Sequence, residues 1–302
     1  MTLQHVPVLA DEIAAMATGS ERVVDGTAGD GGHVERFRAV GAHVFAVDRD
    51  PGQLARARER VGDEGVTWRQ GRYADPDVLA EIERFQPQFV LLDLGVSSHQ
   101  LDDDALGFSF RPGVPLDMRM DRSGRSAAEL LNHLPQADLA EIFQEYGDER
   151  RFRRLAHEVV ERRGRNPFAV SDDFVNAIRG ALGPGTGPSV FARLFQALRI
   201  AVNDELGQLA TALPRLRTSL APDGRLAVIS YHSGEDRIVK HMFREWARAC
   251  ICPPRQPVCT CRGAPLGSLD PRKPVRPSPQ EVNDNPRARS ATLRGFRANA
   301  EP

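Results

Sequence analysis

A Rossmann-like α/β domain, its parallel sheet interrupted by a helical insertion, is the fold that the sequence predicts. Three observations carry that expectation. Short β-rich runs alternate with helical patterns through the first stretch of the chain, a Gly-rich turn joins the first such strand to the first such helix, and strand-like sequence returns only after a long series of helical patterns.

In chain order, Val8, Leu9, Ile13 and Met16 fall near helical spacing and predict a helix beginning after Pro7. Arg22 to Asp25, His43 to Asp48, Val66 to Arg69 and Gln88 to Leu94 read as strands, with helices at Gly32 to Val40, Pro51 to Val61 and Pro76 to Phe85 between them. Such βαβ order implies a parallel sheet covered on both faces. The alternation stops after Asp93. Residues 103–126 are rich in Gly, Pro and Asp, a loop longer than compact domains keep without a function. Helical spacing returns at Leu139, Ile142, Phe143 and Tyr146, at Phe152, Leu155 and Val159, at Phe174, Ile178 and Leu182, and in one long run from Leu194 to Leu213. A strand is expected at Arg225 to Tyr231 after the turn Ala221-Pro222-Asp223-Gly224, then a helix around Glu235 to Ala249 and a last strand near Ser290 to Arg297. The expected organisation is a core of residues 1–103 and 205–302, with 104–204 inserted as a helical domain.

Hydrophobic residues make up 41% of the chain and charged ones 27%, the balance of a globular protein and not of a disordered or collagen-like one. The longest apolar run, Phe89 to Val96, is broken by Asp93 and is too short to span a bilayer, and the opening MTLQHVPVLADE lacks a basic stretch followed by an apolar one. A cytoplasmic protein without membrane association is expected. The net charge of -1 conceals an asymmetry: residues 250–302 hold nine Lys/Arg against four Asp/Glu, whereas 1–249 hold 31 against 37. Arginine dominates the cations, yet it is spread along the chain instead of gathered in a nucleic-acid stripe, so the bias reads first as that of a GC-rich genome.

The strongest local signal is Val24-Asp25-Gly26-Thr27-Ala28-Gly29-Asp30-Gly31-Gly32-His33, between the first strand and the first helix. Glycines there let the backbone approach a ligand, and N–H groups at the helix start suit a polar or anionic group. Asp48 closes the second strand 17 positions after Gly31, where a carboxylate can accept both ribose hydroxyls of a nucleoside. A Gly-rich turn alone is weak, but a turn, a helix start and a strand-end acid in register support one another. A dinucleotide site would prefer G-x-G-x-x-G with its pyrophosphate on the helix. Here the order is acid-x-Thr-x-Gly-x-Gly, which resembles the S-adenosylmethionine (SAM) loop of class I methyltransferases with Thr27 in place of the first Gly. Asp25 at the loop entrance would repel a pyrophosphate but can serve an ammonium group.

A second constellation, Leu91-Leu92-Asp93-Leu94-Gly95-Val96-Ser97-Ser98-His99-Gln100-Leu101-Asp102, stands at the end of a buried strand, where open α/β sheets place their chemistry. An Asp there can also serve only to cap the following loop. Together with HVPVL (His5 to Leu9), DGTAGDGGH, GFSF (Gly107 to Phe110), PLDMRMD (Pro115 to Asp121), FQALRIAVNDEL (Phe195 to Leu206), HSGEDRIVK (His232 to Lys240) and NPRARSATLR (Asn285 to Arg294), it resembles the RsmH/MraW family over nearly the whole chain. Members are SAM-dependent 16S rRNA cytosine-N4 methyltransferases. The resemblance therefore implies a class I SAM-dependent methyltransferase core, recognition of the RNA substrate by the 104–204 insertion, and N4-methylation of a cytidine in the decoding region of 16S rRNA within the small ribosomal subunit. His99 departs from a common Pro, Gly234 from a usual Leu, and Pro188 to Leu194 from the family's approach to FQALR.

Carried over by position, the resemblance places SAM against Gly31, Gly32 and His33, with Asp48 on the ribose, Tyr73 beside the adenine, and Asp93 and Gln100 near the methionine end. Methyl transfer from a sulfonium demands alignment above all. The cytosine amino group is a weak nucleophile, and Asp93 could help by accepting its N–H bonds. His232, after the fifth strand, could take the released proton or merely bond at a strand-to-helix junction. Tyr73 could equally be a core aromatic. A base in a duplex could not reach such a cleft, so the target must be flipped or single-stranded. Arg111, Arg119, Arg122 and Arg125 are candidates for phosphate contact, as are Arg150, Arg151, Arg153, Arg154, Arg162, Arg163 and Arg165, although glutamates among the latter also fit a solvated helix face.

Cys250, Cys252, Cys259 and Cys261 form C-x-C-x6-C-x-C. Four thiols so close could close a tetrahedral zinc site, but the spacing is not C-x2-C, and the expectation is reduced thiols with no metal. The sequence admits a homodimer without fixing oligomeric state. Two rival functions stay open at this level. An NAD-dependent oxidoreductase is disfavoured by the loop pattern, and a SAM-retaining RNA-binding assembly factor by Asp93 at the strand end.

Overall fold

The computed structural model describes residues 7–253, 256 and 258–300, so His5 and Val6 of the HVPVL stretch lie outside the described residues. The chain folds as two compact units, Met1–Gly95 with Leu206–Pro302, and Val96–Glu205. Among the described residues no helix is long and apolar enough to cross a membrane.

The first unit is built on seven strands among the described residues: β1 (Arg22–Asp25), β2 (His43–Asp48), β3 (Val66–Gln70), β4 (Phe89–Asp93), β5 (Arg225–Ser230), β6 (Gly267–Leu269) and β7 (Thr292–Ala298). Their order is β3-β2-β1-β4-β5-β7-β6. The first five run parallel, and β7 is antiparallel to both β5 and β6. Strand order reverses direction at β1, flanked by β2 and β4, and at such a switch point the carboxyl ends diverge to leave a crevice. The strands read as apolar runs because both faces are covered. Val23, Val44, Phe89 and Leu91 pack with Leu9, Ile13, Val34 and Phe37 on one face. Val24, Val47, Val90 and Leu92 alternate to the other, against Val78, Ile82, Leu209, Leu213, Val239 and Phe243.

The expected helices of this unit form with ends shifted, and a short helix at Pro279–Asp284 was not expected. The first begins at Ala10 (Ala10–Ala17), after a left-handed Leu9, and the one after β5 covers Ser233–Trp246. The three-residue β6 carries no periodicity and was not expected. It pairs with β7, and the chain after it passes so close that a Cβ on Gly295 would collide with the Asp270 carbonyl. At the start of helix Ser233–Trp246, Asp236 takes both arms of Arg294 from β7, at 2.7 and 3.0 Å.

The second unit is helical, with Ala127–His133, Gln136–Glu145, Phe152–Arg163, Ser171–Leu182 and Pro188–Asn203 around a core that includes Leu131, Phe143, Leu155, Phe174, Ile178 and Leu198. The helix at Ala127 starts on a capping box, Ser126 and Glu129 each accepting from the other's backbone N–H. Two expectations change here. The Gly/Pro/Asp-rich segment is not a loose loop: Leu116 and Met118 are buried in the core, and Gly107, at φ 79°, turns so tightly that a Cβ would strike the Pro115 carbonyl. The long helix expected across Leu194 to Leu213 is two helices, Pro188–Asn203 and Glu205–Ser219, parted at Asp204 (φ 49°). Arg199 secures the break by bonding both oxygens of Glu205 at 2.8 Å.

Asn203 joins the helix end to the buried loop. Its amide donates to Met118 O at 2.8 Å and accepts from Met120 N at 3.1 Å, and the residue is 1% exposed. Removing it leaves a buried donor and a buried acceptor without this partner. Asn203→Ala should therefore lower the stability of this unit by about 2–4 kcal/mol in chemical denaturation. A loss under about 0.5 kcal/mol would show that the loop holds itself.

Candidate active site

The turn after β1 is stitched to the strands on either side. Gly26 N–H donates to Leu91 O at 2.9 Å and Ala28 N–H to Val47 O at 2.8 Å, so the loop lies across the carboxyl ends of β4 and β2. Asp48 Oδ2 accepts from Gly29 N–H at 2.7 Å and Oδ1 from Asp50 N–H at 2.8 Å. Each oxygen retains further acceptor capacity. Asp48 is 9% exposed, so the expected strand-end acid is in place but doubles as the anchor of the glycine loop. Thr27 also has a task that its departure from the glycine pattern concealed: its Oγ1 accepts the Asp93 N–H at 2.6 Å.

Gly31 and Gly32 are accounted for by the chain itself. Gly31 caps the following helix at φ 82°, and a Cβ there would press on Ala57 and Val61 at 3.1 Å, while one on Gly32 would meet Pro7 at 3.3 Å. His33, one residue further, is different. It is 6% exposed and stacks along Phe37, yet among the described residues neither ring nitrogen has a hydrogen-bond partner. Its Nε2 lies 3.7 Å from Asp93 Oδ2.

Three carboxylates thus close β1, β2 and β4. Among the described residues neither Asp25 nor Asp48 forms an ion pair with Lys or Arg. Burial pushes the Asp25 carboxyl up to about 7, against the pull of His33 and the Thr27 N–H, with Asp93 and Asp48 adding to the rise. Burial likewise raises Asp48 to about 6, opposed by the Asp50 and Gly29 N–H groups. A cationic or hydroxyl-bearing ligand would relieve this arrangement, and a pyrophosphate would aggravate it.

Asp93 is held from a second side by Tyr231, whose hydroxyl donates to Oδ1 at 2.9 Å. Burial, then the charge of Asp93, raises the Tyr231 phenol well above its ordinary value, so it remains a proton donor to the carboxylate. Gly95, at φ 100°, brings the backbone flat onto the Tyr231 ring, where a Cβ would stand 3.3 Å away. Nothing in the residues around Tyr231 marked it beforehand. His232 serves as the N-cap of helix Ser233–Trp246: its Nδ1 accepts from Glu235 N–H at 3.4 Å, and Glu235 Oε2 accepts from the N–H groups of Tyr231 and His232 at 2.8 and 3.2 Å. Its Nε2 is 3.1 Å from Glu235 Oε1 but points off the line of a hydrogen bond.

Tyr73 follows β3, half-buried against the cluster of Val24 and Leu92, with its Cβ 3.3 Å from where a Cβ of Gly26 would be. Gln100 belongs to the second unit, buried, and closes the capping box of helix Ser98–Asp102 with Ser97. The arginines of that unit divide. Arg119 grips Asp117 at 2.7 and 3.0 Å, Arg111 bonds Asp104 at 2.9 Å, Arg162 bonds Glu158 and Arg163 caps the carbonyls of Leu131 and Leu134. Arg122, Arg125, Arg150 and Arg154 are exposed and carry no ion pair among the described residues.

The profile of the MraW methylase family matches residues 2–299. The chain is 53% identical over 304 residues to the ribosomal RNA small subunit methyltransferase H of Gemmatimonas aurantiaca, covering 97% of this chain and 95% of that protein. It is 44% identical to the protein of the same name from Rubrobacter xylanophilus, covering 99% and 97% of the two chains. With that from Heliobacterium mobile it shares 43%, covering 97% and 98%. The glycine loop, the three strand-end carboxylates and the helical unit all fall inside the matched span, and the chain belongs to the MraW methylase family.

Proposed function

We propose that this chain transfers a methyl group from SAM to the N4 amino group of a cytidine in the decoding region of 16S rRNA, within the small ribosomal subunit. The observation that carries the reading is the set Asp25, Asp48 and Asp93 closing neighbouring strands beside the glycine loop, with His33 near Asp93 and neither of its ring nitrogens hydrogen-bonded among the described residues. That set favours a ligand bearing positive charge and hydroxyls over a dinucleotide phosphate, and so argues against a nicotinamide oxidoreductase. The names of the relatives supply the rRNA substrate class.

The group fits these residues. Asp48 has acceptor capacity left for ribose hydroxyls, Tyr73 flanks the loop where an adenine would lie, and His33 has two nitrogens to satisfy. Bound SAM supplies an electrophilic sulfonium methyl. The chain supplies alignment and an acceptor: Asp93 Oδ1 is fixed by Tyr231, and Oδ2, 3.7 Å from His33 Nε2, keeps acceptor capacity for an N–H of the cytosine amino group, which would localise its lone pair. His232 could take the leaving proton only by giving up the Glu235 N–H, so that step is assigned to Asp93 and solvent. The exposed arginines Arg122 and Arg125 are assigned to phosphate contact.

The two raised carboxyls give a pH dependence. Each lies above its ordinary 3.8, so the unliganded fold binds these protons more tightly than the unfolded chain and loses stability as pH rises from about 4 through about 7. A cationic ligand favours the ionised forms. SAM affinity should therefore rise between about pH 5 and pH 8, with proton release near pH 6–7, in calorimetry run in buffers of different ionisation heat. A flat profile would remove these groups from the site.

Asp93→Asn keeps the size but turns one acceptor oxygen into a donor. Single-turnover transfer on saturating small subunits should fall by roughly a hundredfold or more, about 3 kcal/mol, with a smaller change in SAM affinity. Tyr231→Phe should cost roughly tenfold in the same assay. Lost SAM binding with intact chemistry would make Asp93 a cofactor ligand only.

Charge reversal at Arg122 and Arg125 should weaken small-subunit binding by roughly tenfold or more at moderate salt and flatten its salt dependence, leaving SAM affinity unchanged. Normal methylation across a salt series would exclude this face as an RNA contact. Arg119 is unsuited to the test because its pairing with Asp117 holds the loop.

A further inference from the structure

We propose that Cys250, Cys252, Cys259 and Cys261 form a structural zinc site. Spacing alone does not carry this, since C-x-C-x6-C-x-C is not the common finger pattern. The geometry does. All four Sγ atoms lie within 4.8 Å of one another. Their separations are 3.8 Å for Cys250 to Cys259, 3.8 Å for Cys252 to Cys259, 3.9 Å for Cys250 to Cys261 and 3.4 Å for Cys259 to Cys261. A tetrahedron with Zn–S bonds of about 2.3 Å has sulfur–sulfur edges of about 3.8 Å. Disulfides need about 2.05 Å, and the four thiols are free.

Apolar packing does not explain the convergence. The segment hangs between two fixed ends: helix Ser233–Trp246 on one side, and Arg262, whose guanidinium bonds the carbonyls of Glu245, Trp246 and Arg248, on the other. Between them the cysteines are exposed or half-exposed, and Ile251 and Val258 are 39% and 70% exposed. With Ile251 and Val258 turned to solvent, the described part of the segment offers little hydrophobic drive to gather four sulfurs at one point. A shared ligand has that drive. The Ile251 N–H already donates to Cys261 Sγ at 3.3 Å, the type of backbone bond that disperses thiolate charge.

With four protein ligands the site is closed, so the metal would order the segment and take no part in methyl transfer. Binding displaces the four thiol protons, forms four Zn–S bonds and changes no oxidation state.

The test uses the full chain, purified under reducing conditions after growth with added zinc. Elemental analysis should find close to one zinc per chain, the four thiols should react slowly with a thiol reagent, and a strong chelator should release the metal and expose all four. Replacing zinc by cobalt should give the visible absorption of a tetrahedral thiolate site. Cys252→Ser with Cys259→Ser should hold less than about a tenth of the metal while SAM affinity stays unchanged. Thiols that react equally with and without zinc, zinc far below one per chain after reconstitution, or zinc retained by the double variant would each overturn the proposal. Should the variant fail to fold, the chelator and thiol measurements on the unaltered chain decide.

Discussion

Burying carboxylates without a permanent cationic partner is the constraint on which the rest of the first unit depends. Asp25 and Asp48 are almost fully removed from water, and what steadies them is backbone, through the N–H groups of Thr27 and Gly29 in the turn after β1 and of Asp50 after β2. In that arrangement burial raises both carboxyls, Asp25 to about 7 and Asp48 to about 6, so the empty fold binds protons there more readily than free carboxyls do, and an arriving cation would favour their release. The parallel sheet serves it by bringing the ends of β1, β2 and β4 side by side. The loop serves it by keeping its path short enough for two strands to bind it at once.

The same economy governs Asp93. Its backbone is tied to Thr27 and its side chain to Tyr231, so the position of one carboxylate is set jointly by the β1 turn, β4 and the end of β5. A reacting group on three elements is better fixed than one on a loop, and alignment is the larger part of what an in-line displacement requires. The helical unit solves a different problem. Its irregular segment around Leu116 to Met120 is rigid because side chains enter the core and Asn203 absorbs the backbone groups that no helix or strand satisfies.

Much of this was legible beforehand, for a physical reason in each case. Strands buried on both faces must be apolar throughout, so β1, β2, β4 and β5 stood out, and a tight strand-to-helix turn near a ligand favours glycine, so the loop did too. Asp48 and Asp93 were readable because acids rarely end apolar strands without cause. The break at Asp204 was hidden because the apolar spacing of Leu198, Val202, Leu206 and Leu209 continues across it. Thr27 and Tyr231 were not readable, since their hydrogen bonds join residues 66 and 138 positions apart. The exposed arginines looked alike in sequence, and only their partners separate those that brace the fold from those left facing solvent.

The place of β7 has a consequence for how the chain is made. It lies between β5 and β6 and supplies the second partner of β5, yet in chain order it follows every other strand among the described residues. Synthesis runs from the amino end, so the sheet stays open beside β5 until β7 has emerged. Residues 96–205, by contrast, are contiguous and carry their own core. Order of appearance therefore favours a helical unit that closes first, while the open edge of β5 waits for the last strand of its sheet.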